Sequence, residues 1–315
     1  MGVKAAKVSK IALFTSANHP VRRIRRLQEF IIEALLFLAA ASSVLVTVGI
    51  LYVLVSESLP FFAKVSLKEF LTSTQWTPLF SDAKYGILPL VSGTLLATSV
   101  ALILAIPLGT IVAVYLSEYL SMAKREVLKP LLELLAAVPT VVYGYFALLF
   151  VSPIIQKIFP DTSGFNVLSA GLVMGVMIIP YVSSLAEDAM RGVPSHLREA
   201  SFALGASRLE TGFFVVIPAA FSGITSAYIL AISRALGETM VVSIAAGMQP
   251  NLTLNPLQPA ETLTAYIVQV SMGDLPHGSI GYQTIYVAGL TLFCMTLLFN
   301  ILAFWLRRKF REAYD

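Results

Sequence analysis

The sequence of 315 residues is poor in charge: Asp, Glu, Lys and Arg make up only 13% of it, while hydrophobic residues make up 57%. A soluble globular domain usually carries about 25% charged residues. The shortage of charge therefore excludes an ordinary soluble domain. It predicts a polytopic membrane protein.

Cysteine and histidine are also scarce. The single cysteine, Cys294, lies in the last apolar run, so an intrachain disulfide is impossible and redox chemistry is not expected. The three histidines, His19, His196 and His277, lie in different segments without a cysteine or carboxylate at ligand spacing. We therefore expect no metal site.

The sequence lacks the usual motifs of catalysis. It has no G-x-x-x-x-G-K-[ST] loop, so the chain is not expected to hydrolyse ATP. It also has no G-x-S-x-G and no zinc-protease pattern. We predict a chain that is not an enzyme and binds no cofactor.

What the sequence has instead is long apolar runs, each close to the twenty residues that span a bilayer. They predict an all-α bundle of six transmembrane helices, at Phe30 to Ser56, Ile87 to Ser117, Val127 to Val151, Leu168 to Ala189, Phe213 to Gly247 and Gln283 to Leu306.

The basic residues predict the orientation of this bundle, because Lys and Arg are enriched in cytoplasmic loops. Of the 22 Lys and Arg residues, 17 fall on the face that holds both termini, and four fall on the other face. The remaining one, Arg234, lies inside a span. We expect both termini to be cytoplasmic, and we read the basic N-terminus as a topology signal rather than a nucleic-acid site.

These spans divide the chain into five segments. They are a basic N-terminal segment (1–29), a first anchor (30–56), an extracytoplasmic loop (57–85), a helical core (86–306) with a cytoplasmic loop at 191–212, and a C-terminal tail (307–315).

The loop at 191–212 has the signals of two short helices. Ser195 is predicted to cap a helix that runs to Leu204, and Gly205 to end it, because glycine enters the left-handed conformation at little cost. Ser207 with Glu210 predicts a capping box for the next helix. The first helix has about ten positions, too few to cross a bilayer. We expect it to lie across the membrane surface.

Six positions in and after this loop resemble the cytoplasmic loop of bacterial ABC importer permeases, a Glu-Ala-Ala, Gly, Ile-x-Leu-Pro pattern. They are Glu199, Ala200, Gly205, Val215, Ile217 and Pro218, with mild departures at Val215, at Ile217 and at Ser201. The alternative is a generic surface turn between two membrane helices.

The segment that follows contains the sequence SRALGETMVVSIAAGMQPNLTLNP, which resembles more narrowly the phosphate-specific permeases of the PstC type. This likeness extends from about Pro60 to the C-terminus. The resemblance implies a MetI-like permease fold in a bacterial inner membrane. It also implies a second homologous permease, ABC ATPase subunits and an extracytoplasmic phosphate-binding protein as partners, with lipid around the bundle.

By the same resemblance, the short helix would dock into a groove of the ATPase and transmit its closure to the bundle. The residues expected to do so are Leu197, Arg198, Glu199, Ala200, Ser201, Leu204 and Gly205.

Arg234 and Glu238 are the second candidate site. An arginine deep in a span costs several kcal/mol, so it should face a polar cavity and have a partner. Four residues apart, the two side chains are expected on one helix face, with Glu238 neutralising Arg234 until an anion arrives. The alternative is an ion pair that only fixes helix packing.

The residues alone thus predict a subunit of an anion importer, and the resemblance implies that the anion is inorganic phosphate. Two alternatives stay open: a permease for another oxyanion, such as sulfate or molybdate, and a membrane sensor without flux.

Local patterns predict two short helices and the positions of several charged side chains. Ser66 with Glu69 predicts a short capped helix in the first loop. Glu261 to Ser271 predicts an amphipathic helix at the outer surface. Lys129 is expected to pair with Glu133 on its own helix. The charges Glu187, Asp188 and Arg191 are interpreted as surface residues, with bracing of the short helix as the alternative.

Overall fold

The computed structural model describes residues 20–309, with side chains from Gln28 to Trp305. The N-terminal segment before Pro20 and most of the C-terminal tail lie outside these residues. The chain divides into two compact units between Val53 and Leu54.

Residues 20–309 are mainly helical, and no β-strand is formed among them. The α-helices are α1 (Pro20–Phe62), α2 (Leu67–Thr72), α3 (Leu88–Val114), α4 (Met122–Ala137), α5 (Thr140–Phe146), α6 (Ser152–Ile158), α7 (Val167–Arg191), α8 (Ser195–Ala203), α9 (Arg208–Thr211), α10 (Ile217–Ala219), α11 (Phe221–Leu236), α12 (Met240–Ala245), α13 (Leu263–Ser271) and α14 (Ile280–Lys309). Three π-helical segments, Tyr115–Tyr119, Ala147–Val151 and Gly212–Val216, follow α3, α5 and α9.

By length and composition, five helices in this part of the chain can cross a membrane, and the count becomes six if one bent pair forms a single span. The all-α class with six spans is therefore confirmed. The first of them, α1, begins earlier and ends later than the predicted Phe30 to Ser56.

The third predicted span, Val127 to Val151, is wrong in its bounds. Helix α4 ends at Ala137, and Val138 is extended with ψ of 131° because Pro139 disfavours the α conformation in the residue before it. The spanning helix instead runs from Thr140 to Ile158. Helix α4 has no buried residue and is amphipathic, so it is a separate element.

The fifth predicted span, Phe213 to Gly247, is not one helix. The stretch Arg208–Ala219 meets Phe221–Leu236 at an angle of 75°. Pro218 lacks an N–H and Ala220 leaves the helical region at ψ of 2°, so the hydrogen-bond ladder breaks there. The second break comes at Gly237, after which α12 adds only a short helical segment.

The most extensive helix contact in the bundle is between α3 and α7. A Cβ on Gly171 would lie 2.6 Å from Val100 Cγ1, and a Cβ on Gly175 would lie 2.9 Å from the Ala101 carbonyl oxygen. Glycines one turn apart let two backbones approach in this way. The buried residues of α3 and α7 together with those of α11 and α12 form the largest core cluster.

Helix α13 is a helix at the predicted place, but it does not lie at the surface. Leu263, Tyr266 and Val270 are almost fully buried among residues of α14 and of the loop before α3. Thr262 caps the helix by accepting from the Ala265 N–H at 3.1 Å. The Leu263 N–H donates to Thr94 Oγ1 of α3 at 3.0 Å. The apolar face of α13 therefore belongs to the core of the bundle.

Ser66 caps α2 as predicted, with its side chain accepting from the Glu69 N–H at 3.1 Å. The helix holds Phe70 in a cluster of aromatic rings.

Candidate functional site

The short helix α8 and the turn that follows it form the first candidate site. The helix begins at Ser195, so the prediction of a Ser195 cap is wrong: Pro194 is the capping residue and makes no side-chain hydrogen bond. Proline can occupy this position because its ring fixes φ at about −65°, and Pro194 has a φ of −57°.

The end of α8 is as predicted. Gly205 has a φ of +87°, in the left-handed region, and its N–H donates to the Phe202 carbonyl at 2.9 Å. Ser207 and Glu210 form a complete capping box, with the Ser207 N–H 2.7 Å from Glu210 Oε2. These two local signals define where α8 ends and where α9 begins.

The seven residues predicted to couple this loop to an ATPase divide into two sets. One set is exposed and consists of Glu199, Ala200, Leu204 and Gly205. The other set faces the bundle: Leu197 packs on a core cluster, Ser201 binds the Thr211 hydroxyl at 2.9 Å, and Arg198 is largely covered. Only the first set is free to meet another protein.

Arg198 joins α8 to two other segments. Its guanidinium donates to both carboxylate oxygens of Glu118, from Nε at 3.2 Å and from Nη2 at 3.0 Å. It also donates to the carbonyls of Met190 at 2.8 Å and Val193 at 2.7 Å. Bidentate, charge-assisted contacts of this kind are the stronger and more directional hydrogen bonds of proteins.

A second ion network lies at the same end of the bundle, which we call the charged end (Glu118, Arg125, Lys129, Glu187, Asp188, Arg191 and Arg198). The Glu187 side chain is fully buried and accepts from Arg125 at 2.6 Å and Lys129 at 2.9 Å. Arg191 lies 3.7 Å away, and Lys129 also reaches Asp188. The hydrogen bond to Glu187 raises the pKa of Arg125.

This network corrects two expectations. Glu187 is not a surface residue, although Asp188, at 56% exposure, is one. Lys129 pairs across to α7 rather than with Glu133, whose carboxylate instead accepts from the Ser184 hydroxyl at 3.0 Å. Glu187 is 62 residues from Arg125, so sequence spacing carried no signal for this contact.

Arg234 lies in the last turn of α11, and its surroundings differ from those of the charged end. Its guanidinium carbon is 4.2 Å from the centroid of the Tyr181 ring of α7, a cation–π contact. Its Nε is buried without a hydrogen-bond partner. Within residues 28–305, the ion pairs include none for Arg234.

The predicted pairing of Arg234 with Glu238 on one helix face is therefore wrong. Helix α11 ends at Leu236, and the chain turns at Gly237 before α12 begins. Glu238 is buried, its carboxylate faces the Val241 N–H at 3.4 Å, and its carbonyl accepts from the Thr264 hydroxyl at 2.7 Å. The break removes the four-residue helical spacing on which the prediction depended.

Glu261 is a buried acid that the sequence reading did not single out. It is 1% exposed, and its Oε1 has no hydrogen-bond partner within the described residues. Burial raises the pKa of Glu261 to about 8, so the side chain is neutral at pH 7. With Trp76, Tyr266 and Gln269 it lines a cavity of about 220 Å³.

Comparison with known proteins identifies the class of this bundle. Residues 105–312 match the family described as binding-protein-dependent transport system inner membrane component. A probable ABC transporter permease protein, YqgH, of Bacillus subtilis is 36% identical over 96% of this chain and 97% of its own length. The phosphate transport system permease protein PstC of Mesorhizobium japonicum is 32% identical over 74% of this chain and 76% of its own length.

Solved structures agree in fold. A bacterial ABC transporter involved in the import of the acidic polysaccharide alginate matches with a TM-score of 0.63 and 15% identity, over 91% of this chain and all of that chain. The MetNI methionine ABC transporter, in an inward-facing conformation, matches with a TM-score of 0.52 and 16% identity, over 72% of this chain and 95% of that chain. The predicted MetI-like fold is thereby confirmed.

The apolar helices, the capped loop at 191–212 and these matches agree: the chain belongs to the family of inner membrane components of binding-protein-dependent transport systems, and is an ABC importer permease.

Proposed function

We propose that this permease carries inorganic phosphate inward across a bacterial inner membrane. The relatives named as phosphate transport permeases support the cargo, among them proteins from Mesorhizobium japonicum and from Mycobacterium tuberculosis, the latter 33% identical over 74% of this chain. The lopsided distribution of Lys and Arg supports cytoplasmic termini. Residues 86–306 are then the permease core.

The observation that carries the proposal is the state of Arg234. A guanidinium inside a bundle of apolar helices is costly unless a partner neutralises it. The guanidinium of Arg234 contacts the Tyr181 ring but has no carboxylate within 4 Å among the described residues. Its Nε has no hydrogen-bond partner. A planar fork with a free donor suits an oxyanion of the phosphate type. Glu238 accepts from the Val241 N–H and makes no ion pair with Arg234 among the described residues.

The proposed partners follow from the exposed face of α8. Leu204 is 90% exposed and Phe202 is 44% exposed, beside the carboxylate of Glu199. An apolar tip on a short, rigid helix suits a groove of an ABC ATPase subunit, which would supply the energy. A second homologous permease, an extracytoplasmic phosphate-binding protein and membrane lipid complete the proposed complex.

The test is ATP-driven uptake of labelled phosphate by vesicles that contain the complete complex. We expect Arg234→Ala to lower uptake by about a hundredfold, the effect of losing a bidentate charged contact. Arg234→Lys should retain part of it, because the charge stays but the fork is lost. Lys124→Ala, which removes an exposed positive charge from α4, is the matched control and should leave uptake unchanged.

Two outcomes would change the proposal. If excess sulfate or molybdate competes with labelled phosphate as well as phosphate does, the cargo is another oxyanion or a wider class. If the wild-type complex hydrolyses ATP without moving any of these anions, the chain is a sensor subunit and the transport proposal is wrong.

Orientation has its own test. Cys294 is the only cysteine, so Cys294→Ser gives a background in which Leu204→Cys is the single thiol. A membrane-impermeant maleimide should label that thiol in inverted vesicles and not in right-side-out vesicles. Addition of the ATPase subunits should protect it. Labelling from outside would place the loop at 191–212 on the wrong side and overturn the coupling proposal.

A further inference from the structure

The contact between Arg198 and Glu118 assigns these two residues a part in transport that differs from that of the exposed face of α8. Both side chains are largely covered, Arg198 at 19% and Glu118 at 6% exposure. A side chain held in this way cannot also reach into a groove of another protein. Arg198 therefore acts inside the permease.

Glu118 lies at a junction of three elements. It belongs to the π-helical segment Tyr115–Tyr119, which continues α3 without a break. A Cβ on Gly212 would lie 3.6 Å from Glu118 Cγ. The Glu118 side chain therefore also lies beside the π-helical segment Gly212–Val216, which precedes α10. Ser117 donates to Glu118 Oε1 at 2.7 Å and helps to fix its orientation. Short π-helical insertions occur frequently at functional sites.

The route from this junction into the bundle is continuous. Helix α3 extends from Leu88 to Val114 with Pro107 inside it, and it packs along α7 through Gly171 and Gly175. The second pair of hydrogen bonds from Arg198 holds the end of α7 itself. One guanidinium thus joins α8 to the ends of the two helices that share the most extensive contact in the fold.

We propose that the pair of Arg198 and Glu118 is the link that transmits displacement of α8 to α3 and α7. The ATPase would push on the exposed Glu199 and Leu204 face, and the buried face would pull the bundle through this pair. The inference rests on the proposed function, because it needs an ATPase that moves α8. Arg198 and Glu118 are positioning residues and touch neither nucleotide nor cargo.

The experiment measures two quantities on the reconstituted complex: phosphate taken up and ATP hydrolysed. Glu118→Gln keeps the size of the side chain and weakens the charged contact. We expect ATP hydrolysis to continue while phosphate moved per ATP falls by about tenfold, the effect of one charge-assisted hydrogen bond. Arg198→Lys should give an intermediate ratio, since the charge remains without the fork.

The double variant tests whether the two residues act as a unit. If they do, Glu118→Gln combined with Arg198→Gln will be no worse than Arg198→Gln alone. Glu133→Gln is the matched control, because it makes the same chemical change at the charged end on a contact with Ser184. It should leave the ratio of uptake to hydrolysis at the wild-type value.

The possible results separate cleanly. A wild-type ratio in Glu118→Gln overturns the link while leaving the proposed function intact. Loss of complex assembly in both Glu118→Gln and Arg198→Lys also overturns it, because the pair is then needed only for folding. Absence of ATP-driven uptake in the wild type is the failure of the proposed function, and it is seen before any variant is made.

Discussion

The charged end and the region around α11 to α13 differ in whether their ionisable side chains form ion pairs. At the charged end, Glu187 has two cations within 3 Å and a third at 3.7 Å. Around α11 to α13, the described ion pairs include none for Arg234, Glu238 or Glu261. Buried ionisable side chains that serve structure are usually paired, so unpaired ones are candidates for function.

The largest expected effect on stability comes from removing the buried carboxylate at the charged end. Glu187→Gln leaves Arg125, Lys129 and Arg191 close together without their shared anion. Removal of one partner from a buried pair costs about 3–5 kcal/mol. We expect a large fall in melting temperature and in the yield of monodisperse protein.

The control for this prediction is Asp188→Asn, next in the chain but 56% exposed. Exposed ion pairs contribute little, about 1 kcal/mol or less. If the two variants melt at the same temperature, the charged end is not a structural network and the comparison fails.

The second prediction concerns pH and Glu261. Its pKa is about 8 in the fold and about 4.3 in an unfolded chain. The folded state therefore binds more protons between these values, and stability is greatest below pH 4 and falls as pH rises towards 8. The slope should approach about 1.4 kcal/mol per pH unit.

Melting temperatures measured from pH 5 to pH 9 check the sign. Glu261→Gln has no proton to lose, so its melting temperature should vary less over this range and exceed that of the wild type at pH 8. A wild-type profile that rises with pH would show that an unseen cation pairs with Glu261.

The third prediction sharpens the description of Arg234. Tyr181→Phe keeps an aromatic face under the guanidinium, whereas Tyr181→Leu removes it. Cation–π contacts contribute about 0.5–2 kcal/mol, so the leucine variant should raise the KM for phosphate uptake by roughly thirtyfold at most, and the phenylalanine variant should resemble wild type. Equal uptake by both variants would show that the ring does not position Arg234.

A modest effect on stability is expected at Gly205. No atom lies within 4 Å of a Cβ added there, so alanine meets no clash and costs only backbone strain, about 1–2 kcal/mol for a left-handed residue. Gly49→Ala in α1 also meets open space but has ordinary helical backbone, and it should be neutral or slightly stabilising. Matching changes in melting temperature at the two sites would contradict the strain at Gly205.

The same comparison explains what the sequence could predict. Local signals were sufficient for Gly205 and for the capping box of Ser207 and Glu210, because these contacts join residues three or four apart. The breaks after Ala137 and Leu236 were missed, although Pro139 and Gly237 stand at them. Hydropathy windows average over such breaks, and a continuous apolar run conceals a change of direction.

The ion-pair partners of the charged residues could not be predicted from local sequence patterns. Glu118 meets Arg198 across 80 positions and Arg125 meets Glu187 across 62. Spacing along one helix suggested pairs of Lys129 with Glu133 and of Arg234 with Glu238, and the fold realised neither as an ion pair. In a bundle whose helices cross, tertiary distance overrides the four-residue rule.

Helix α13 has a consequence for biogenesis. It is too short to enter a bilayer as a span, and its polar groups are satisfied by Thr94 of α3 and Thr284 of α14, the latter bonded to the Tyr266 hydroxyl at 2.6 Å. A nascent chain that stops before α14 lacks Thr284, the partner of that hydroxyl in the folded bundle. We therefore expect this segment to reach its final packing only after the last helix has left the ribosome, so stop codons upstream of Thr284 should yield chains that quality-control proteases remove.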